Sequence, residues 1–65
     1  MRELQKEINN LDVSIENGSI TQSKAFAIIR QLNFDVLEKY NRESKEYNYL
    51  YDQLIYLNEC IKEII

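Results

Sequence analysis

From Tyr47 onward the chain places an apolar residue at alternating intervals of three and four: Tyr47, Leu50, Leu54, Leu57, Ile61 and Ile64. On an α-helix that spacing lays all six side chains along one face, and the face needs other helices to cover it. Burying six such side chains contributes on the order of 9–18 kcal/mol before chain entropy is subtracted. Exposure to water is therefore no resting state for this stripe. The fold class that follows is all-α, a single small domain over 1–65 built by helix-on-helix packing.

A chain of 65 residues has few ways to reach stability. Domains this short bury only about 60% of the surface that the unfolded chain exposes, and they commonly lean on disulfides, metals or association. Cys60 is the only cysteine and histidine is absent, so neither a disulfide nor a metal cage is expected, and no cofactor. Self-association is left, with a homo-oligomer, in the first instance a dimer, as the expected form. The net charge of −3 is mild and the apolar content of 45% suits a folded chain. The longest apolar run, Ala25 to Ile29, is far short of the roughly 20 residues that span a bilayer. A lone cysteine and the want of a signal-peptide core point to the cytoplasm.

The first helix is expected over about 2–16, with Leu4, Ile8, Leu11 and Ile15 as one narrow stripe between polar flanks. Asn17-Gly18 is the clearest stop, because glycine takes the left-handed conformation that closes a helix. Thr21 reads as the next N-cap, preceded by Ile20 as a hydrophobic staple against Ala25. A second helix over about 22–40 would pair with the first as a hairpin. It is apolar on two sides, Ala25, Ile28 and Leu32 on one and Phe26, Ile29, Val36 and Tyr40 on the other.

Between Glu38 and Glu46 there is neither proline nor glycine, only Asn41 and Ser44 as weak caps. Asp35 with Lys39, and Glu38 with Arg42, form acid-before-base pairs at helical spacing. The heptad also extends backward in phase through Tyr40, Val36, Ile29 and Phe26, broken only by Glu43 and Asn33. These signs favour one helix from about Gln22 to Ile64, about 65 Å long at about 1.5 Å per residue. A helix that long outruns the first, so a second copy would have to cover the C-terminal coiled-coil seam. The alternative is a turn near Asn41–Ser44, a separate third helix over about 45–64, and a compact antiparallel three-helix bundle. The e and g positions beside the seam (Tyr51, Asn58, Ile65, Glu46, Gln53, Cys60) carry little charge, which suits a bundle better than a two-stranded zipper.

No residue constellation names a reaction. An EF-hand closing through Asn17-Gly18 would need oxygen ligands where Val13 and Ile15 stand and a glutamate where Lys24 stands. No histidine serves as a base, and neither serine nor Cys60 has an activating neighbour in sequence. The central basic residues Lys24, Arg30, Lys39, Arg42 and Lys45 are interleaved with Asp35, Glu38, Glu43 and Glu46, which reads as a solvated face and not a phosphate-binding one.

The five tyrosines all lie between Tyr40 and Tyr56. Tyr49 and Tyr56, seven residues apart, share a face off the seam, and Ile55 also falls outside it. Tyrosine is enriched in binding hot spots, so Tyr49, Ile55 and Tyr56 are the candidate partner-binding residues. The expected function is that of a non-enzymatic protein–protein interaction module. Abundant Asn, Ile, Lys and Tyr, all with A/T-rich codons, suggest a phage or other mobile element, and an inhibitor or modulator of a host protein. The alternative is a small oligomeric transcriptional regulator or antitoxin-like nucleic-acid binder.

Overall fold

Gly18 ends the first helix as its sequence context demands. Its backbone is left-handed (φ 68°, ψ 23°). Its N–H donates to the Ile15 carbonyl at 3.2 Å and the Ser19 N–H to the Ser14 carbonyl at 3.1 Å. These two bonds form a Schellman closure, which satisfies carbonyls that the helix end would otherwise leave open. Thr21 then caps the next helix, its hydroxyl accepting from the Lys24 N–H at 3.3 Å. Ile20, just before it, packs on the core that holds Ala25.

The computed structural model describes residues 3–64, and it holds three helices: α1 (Leu4–Asn17), α2 (Gln22–Lys39) and α3 (Lys45–Lys62). The expected start of α1 at Arg2 and the flanking position Ile65 lie outside the described residues. Each helix packs on the other two, α2 on α3 most extensively, as an up-down-up three-helix bundle.

The favoured single helix from Gln22 to Ile64 does not form. Tyr40 leaves α2 in extended conformation (φ −124°, ψ 148°) after donating its N–H to the Val36 carbonyl. Asn41 and Ser44 then build the turn. The Asn41 side chain accepts from the Glu43 N–H at 3.0 Å, and the Ser44 hydroxyl donates to the Asn41 carbonyl at 2.7 Å. The same hydroxyl accepts from the Tyr47 N–H at 3.1 Å and so caps α3. Asparagine and serine offer the backbone a local alternative to the helix ladder.

Magnitudes decide the outcome. Breaking the helix forfeits a few backbone hydrogen bonds, each worth a net 0.5–1.5 kcal/mol or so, and side chains replace several. Folding back buries both apolar faces at once, the larger gain. The longest dimension is 35 Å, about half of what the continuous helix would need. Arg42 consequently stands beyond the end of α2 and is no helical partner for Glu38.

The core is wholly hydrophobic among the described residues. Leu4, Ile8 and Leu11 enter it from α1, Ala25, Ile29, Leu32 and Val36 from α2, and Leu50, Leu54, Leu57 and Ile61 from α3. Phe26, Ile28 and Tyr40 pack partly buried at its margins, so both apolar sides of α2 have neighbours. Polar ties at the margins set the helix heights. Gln5 and Gln53 exchange amide hydrogen bonds of 2.8 and 3.0 Å between α1 and α3. Gln22 donates to the Ile61 carbonyl at 3.1 Å, joining the start of α2 to the end of α3.

Candidate interaction surfaces on either flank of the third helix

The heptad stripe is an intrachain core. Leu50, Leu54, Leu57 and Ile61 are buried, and Tyr47 and Ile64 pack partly buried against them. Their cover comes from α1 and α2 of the same chain. With the long helix absent, no second copy is needed to hide this seam.

What α3 offers to a partner is therefore its outward surface, which α1 and α2 divide into two flanks. Gln53 marks the α1 flank through its exchange with Gln5. Tyr49 and Tyr56 lie on either side of Gln53, and both are far out of the core, at 64% and 61% exposure. Tyr56 stands over an open groove lined by Ile8, Asp12, Asp52 and Leu57. Tyr49 borders another beside Glu3, Gln5 and Glu46. Carboxylates recur in both grooves, joined at the Tyr49 groove by Lys39. The phenol of Tyr56 responds to the setting: a hydrogen bond with Cys60, then the charges of Cys60, Asp12 and Glu16, push its pKa above the ordinary tyrosine value.

The other flank faces α2. Successive residues turn by about 100° around a helix, so Ile55 sits roughly a quarter-turn from Tyr56 and nearly opposite Gln53. It follows Tyr51 by one turn, and Tyr51 stacks on Tyr47 with ring centroids 5.5 Å apart. On α2, Ile28 belongs to the α1 side, where it shares a groove with Asn10, Leu11 and Ser14. Leu37 lies nine residues further on, about two and a half turns, and so points to the opposite side, towards α3. Phe34 neighbours Leu37 and partly buried Phe26 continues the row. Phe34 is 59% exposed, Leu37 44%, Tyr51 40% and Ile55 47%.

The fold therefore brings Tyr49 and Tyr56 together and separates Ile55 from both. Sequence reasoning missed Phe34 and Leu37. The available signal was phase: both fall outside the α2 rows Ala25–Leu32 and Ile29–Val36, yet both are large and apolar. Among the described residues there is no cluster of metal-ligating side chains, and no helix is long and apolar enough to cross a membrane. Cys60 is half-buried. Comparison with protein-family models, curated proteins and solved structures finds no match.

Proposed function

We propose that this protein is a non-enzymatic interaction module that binds another protein through the α1–α3 flank, with Tyr49 and Tyr56 as its principal contacts. The observation that carries the reading is the pair of tyrosines on one face, each more than three-fifths exposed, Tyr56 beside Asp12, Glu16 and Asp52 and Tyr49 beside Glu3, Glu46 and Lys39. Tyrosine provides wide contact area with little side-chain entropy to lose, and it is over-represented at the energetic centre of interfaces. The surrounding carboxylates favour a partner surface rich in lysine or arginine, whose cations also stack on tyrosine rings. Small size and the A/T-rich coding bias support a mobile-element setting and the role of modulator of a host protein.

Affinity capture from host extract with wild type and with Tyr49→Ala/Tyr56→Ala tests the assignment. Both side chains are outside the core, so the double variant keeps its helicity. It is expected to lose the captured partner by at least tenfold, and capture by the wild type is expected to weaken as salt is raised. Equal capture by both proteins removes this flank from the function. Retention of the protein on duplex DNA at low salt, with no protein captured, favours the nucleic-acid-binding alternative.

A further inference from the structure

We propose that Asn17 is a self-modification site: without any enzyme, the Asn17-Gly18 junction converts through a cyclic imide to aspartate and isoaspartate, at a rate set by the folding of the α1 terminus. The inference stands apart from the tyrosine flank and needs no partner protein.

Sequence supplies the chemistry. Asparagine is a chemically labile residue, and lability is greatest where the next residue leaves its backbone nitrogen uncrowded. Gly18, the only glycine, follows Asn17, whereas the other asparagines precede Asn10, Leu11, Phe34, Arg42, Tyr49 and Glu59. The Gly18 nitrogen gives up its proton to solvent base and attacks the Asn17 Cγ. The new N–Cγ bond closes a five-membered succinimide, and the side-chain amide leaves with a solvent proton as ammonia. Water then opens the ring. Cleavage of the new bond gives aspartate; cleavage of the original peptide bond gives isoaspartate, with the main chain rerouted through Cβ and Cγ.

Structure supplies the gate. Asn17 is the last residue of α1, and a helical ψ of about −42° holds the following nitrogen well away from the near-eclipse with Cβ that ring closure needs. The Gly18 N–H is also engaged, donating to the Ile15 carbonyl at 3.2 Å, while the Ser19 N–H and hydroxyl both donate to the Ser14 carbonyl at 3.1 and 3.3 Å. The Gly18 bond must open before its nitrogen can attack. Little besides these bonds holds the junction. Asn17, Gly18 and Ser19 are exposed, and the space where a Cβ would stand on Gly18 has no non-neighbouring atom within 4 Å. Helix ends fray at low free-energy cost, so the reactive geometry is reached by local opening and not by global unfolding.

The product acts on the same cap. A carboxylate at this position adds negative charge to the negative end of the α1 dipole, next to Glu16 in the chain, and the last turn of α1 has no basic residue to offset it. Isoaspartate does more. Its longer main chain shifts Gly18 and Ser19 out of register with Ile15 and Ser14, and the Schellman bonds cannot both re-form. Each conversion thus loosens the α1–α2 junction irreversibly, and the modified fraction records the age of the folded chain.

Incubation of the full chain at mildly alkaline pH, folded and in urea, with peptide mapping by mass spectrometry, reads both the site and the gate. The mass gained when an amide becomes an acid is expected first in the peptide holding Asn17 and Gly18, with the aspartate and isoaspartate forms separable by chromatography. In urea the conversion is expected to run about tenfold faster or more than in the folded chain, and Gly18→Ala in urea to slow it by a similar factor. The purified isoaspartate form is expected to melt below wild type and below Asn17→Asp, whose charge alone shifts the folding equilibrium by about two- to fivefold. Conversion of another asparagine first, or none at Asn17 in the folded chain, overturns the site, as does Gly18→Ala converting at the wild-type rate. Equal rates folded and unfolded overturn the gate, and an isoaspartate form that melts with wild type overturns the effect on the cap.

Discussion

Tyr56 shows how a single surface residue is tuned by its helix neighbours. Cys60, one turn on, and the carboxylates Asp12 and Glu16 on α1 both make a negative charge on the phenol unfavourable. Both effects hold the proton more tightly in the folded chain than in the unfolded one. The sign follows from linkage: the associated stability is fully present below the ordinary tyrosine pKa of about 10 and is lost as pH rises through the folded value. Ultraviolet titration of wild type minus Tyr56→Phe is expected to show a phenolate transition above about 10, and Cys60→Ala to bring it down. A difference transition at or below that value would show that these neighbours do not act on the phenol. The pairing of Tyr49 with Tyr56 was legible from their seven-residue spacing alone. Ile55 falls on the other flank because two residues adjacent in sequence diverge by roughly 100° on a helix.

Ser44 decides the fate of a whole element. Its hydroxyl closes the turn through the Asn41 carbonyl and starts α3 through the Tyr47 N–H. Ser44→Ala is expected to cost about 1 kcal/mol in urea unfolding, and Ser44→Gly only a few tenths, because glycine opens the cap to water. Equal losses would mean that the cap is not what Ser44 provides. Element boundaries were legible where glycine stood: Gly18 and Thr21 mark the α1–α2 junction in sequence and in structure. The α2–α3 junction was legible only as an alternative, the turn near Asn41–Ser44, since both residues are compatible with a helix and the heptad runs through them in phase. What breaks the helix is tertiary, the burial gained when α3 folds back, and local pattern does not record it.

For the molecule as a whole, stability rests on a core to which the described residues contribute eleven buried hydrophobic side chains. Leu54 is 1% exposed within that core. Leu54→Ala is expected to cost about 2–5 kcal/mol, against a total on the order of 3–5 kcal/mol for a core of this size. Circular dichroism should therefore find the variant largely unfolded, or melting far below wild type; an unchanged melt would remove the ridge from the core. The all-helical composition and the buried rows of α1 and α3 were readable from periodicity. The apolar strip at Phe34 and Leu37 was not, because it exists only once α2 and α3 lie side by side. One further property comes from where the chromophores sit. There is no tryptophan, and every tyrosine lies at or beyond Tyr40, so near-ultraviolet emission and ellipticity sense α3 and its approach while α1 holds no tyrosine. Fraying of α1 would dim the amide signal and strip the α1 side from Tyr49 and Tyr56 while sparing the stacked Tyr47–Tyr51 pair, so a lag between amide and aromatic signals on heating would reveal which helix lets go first.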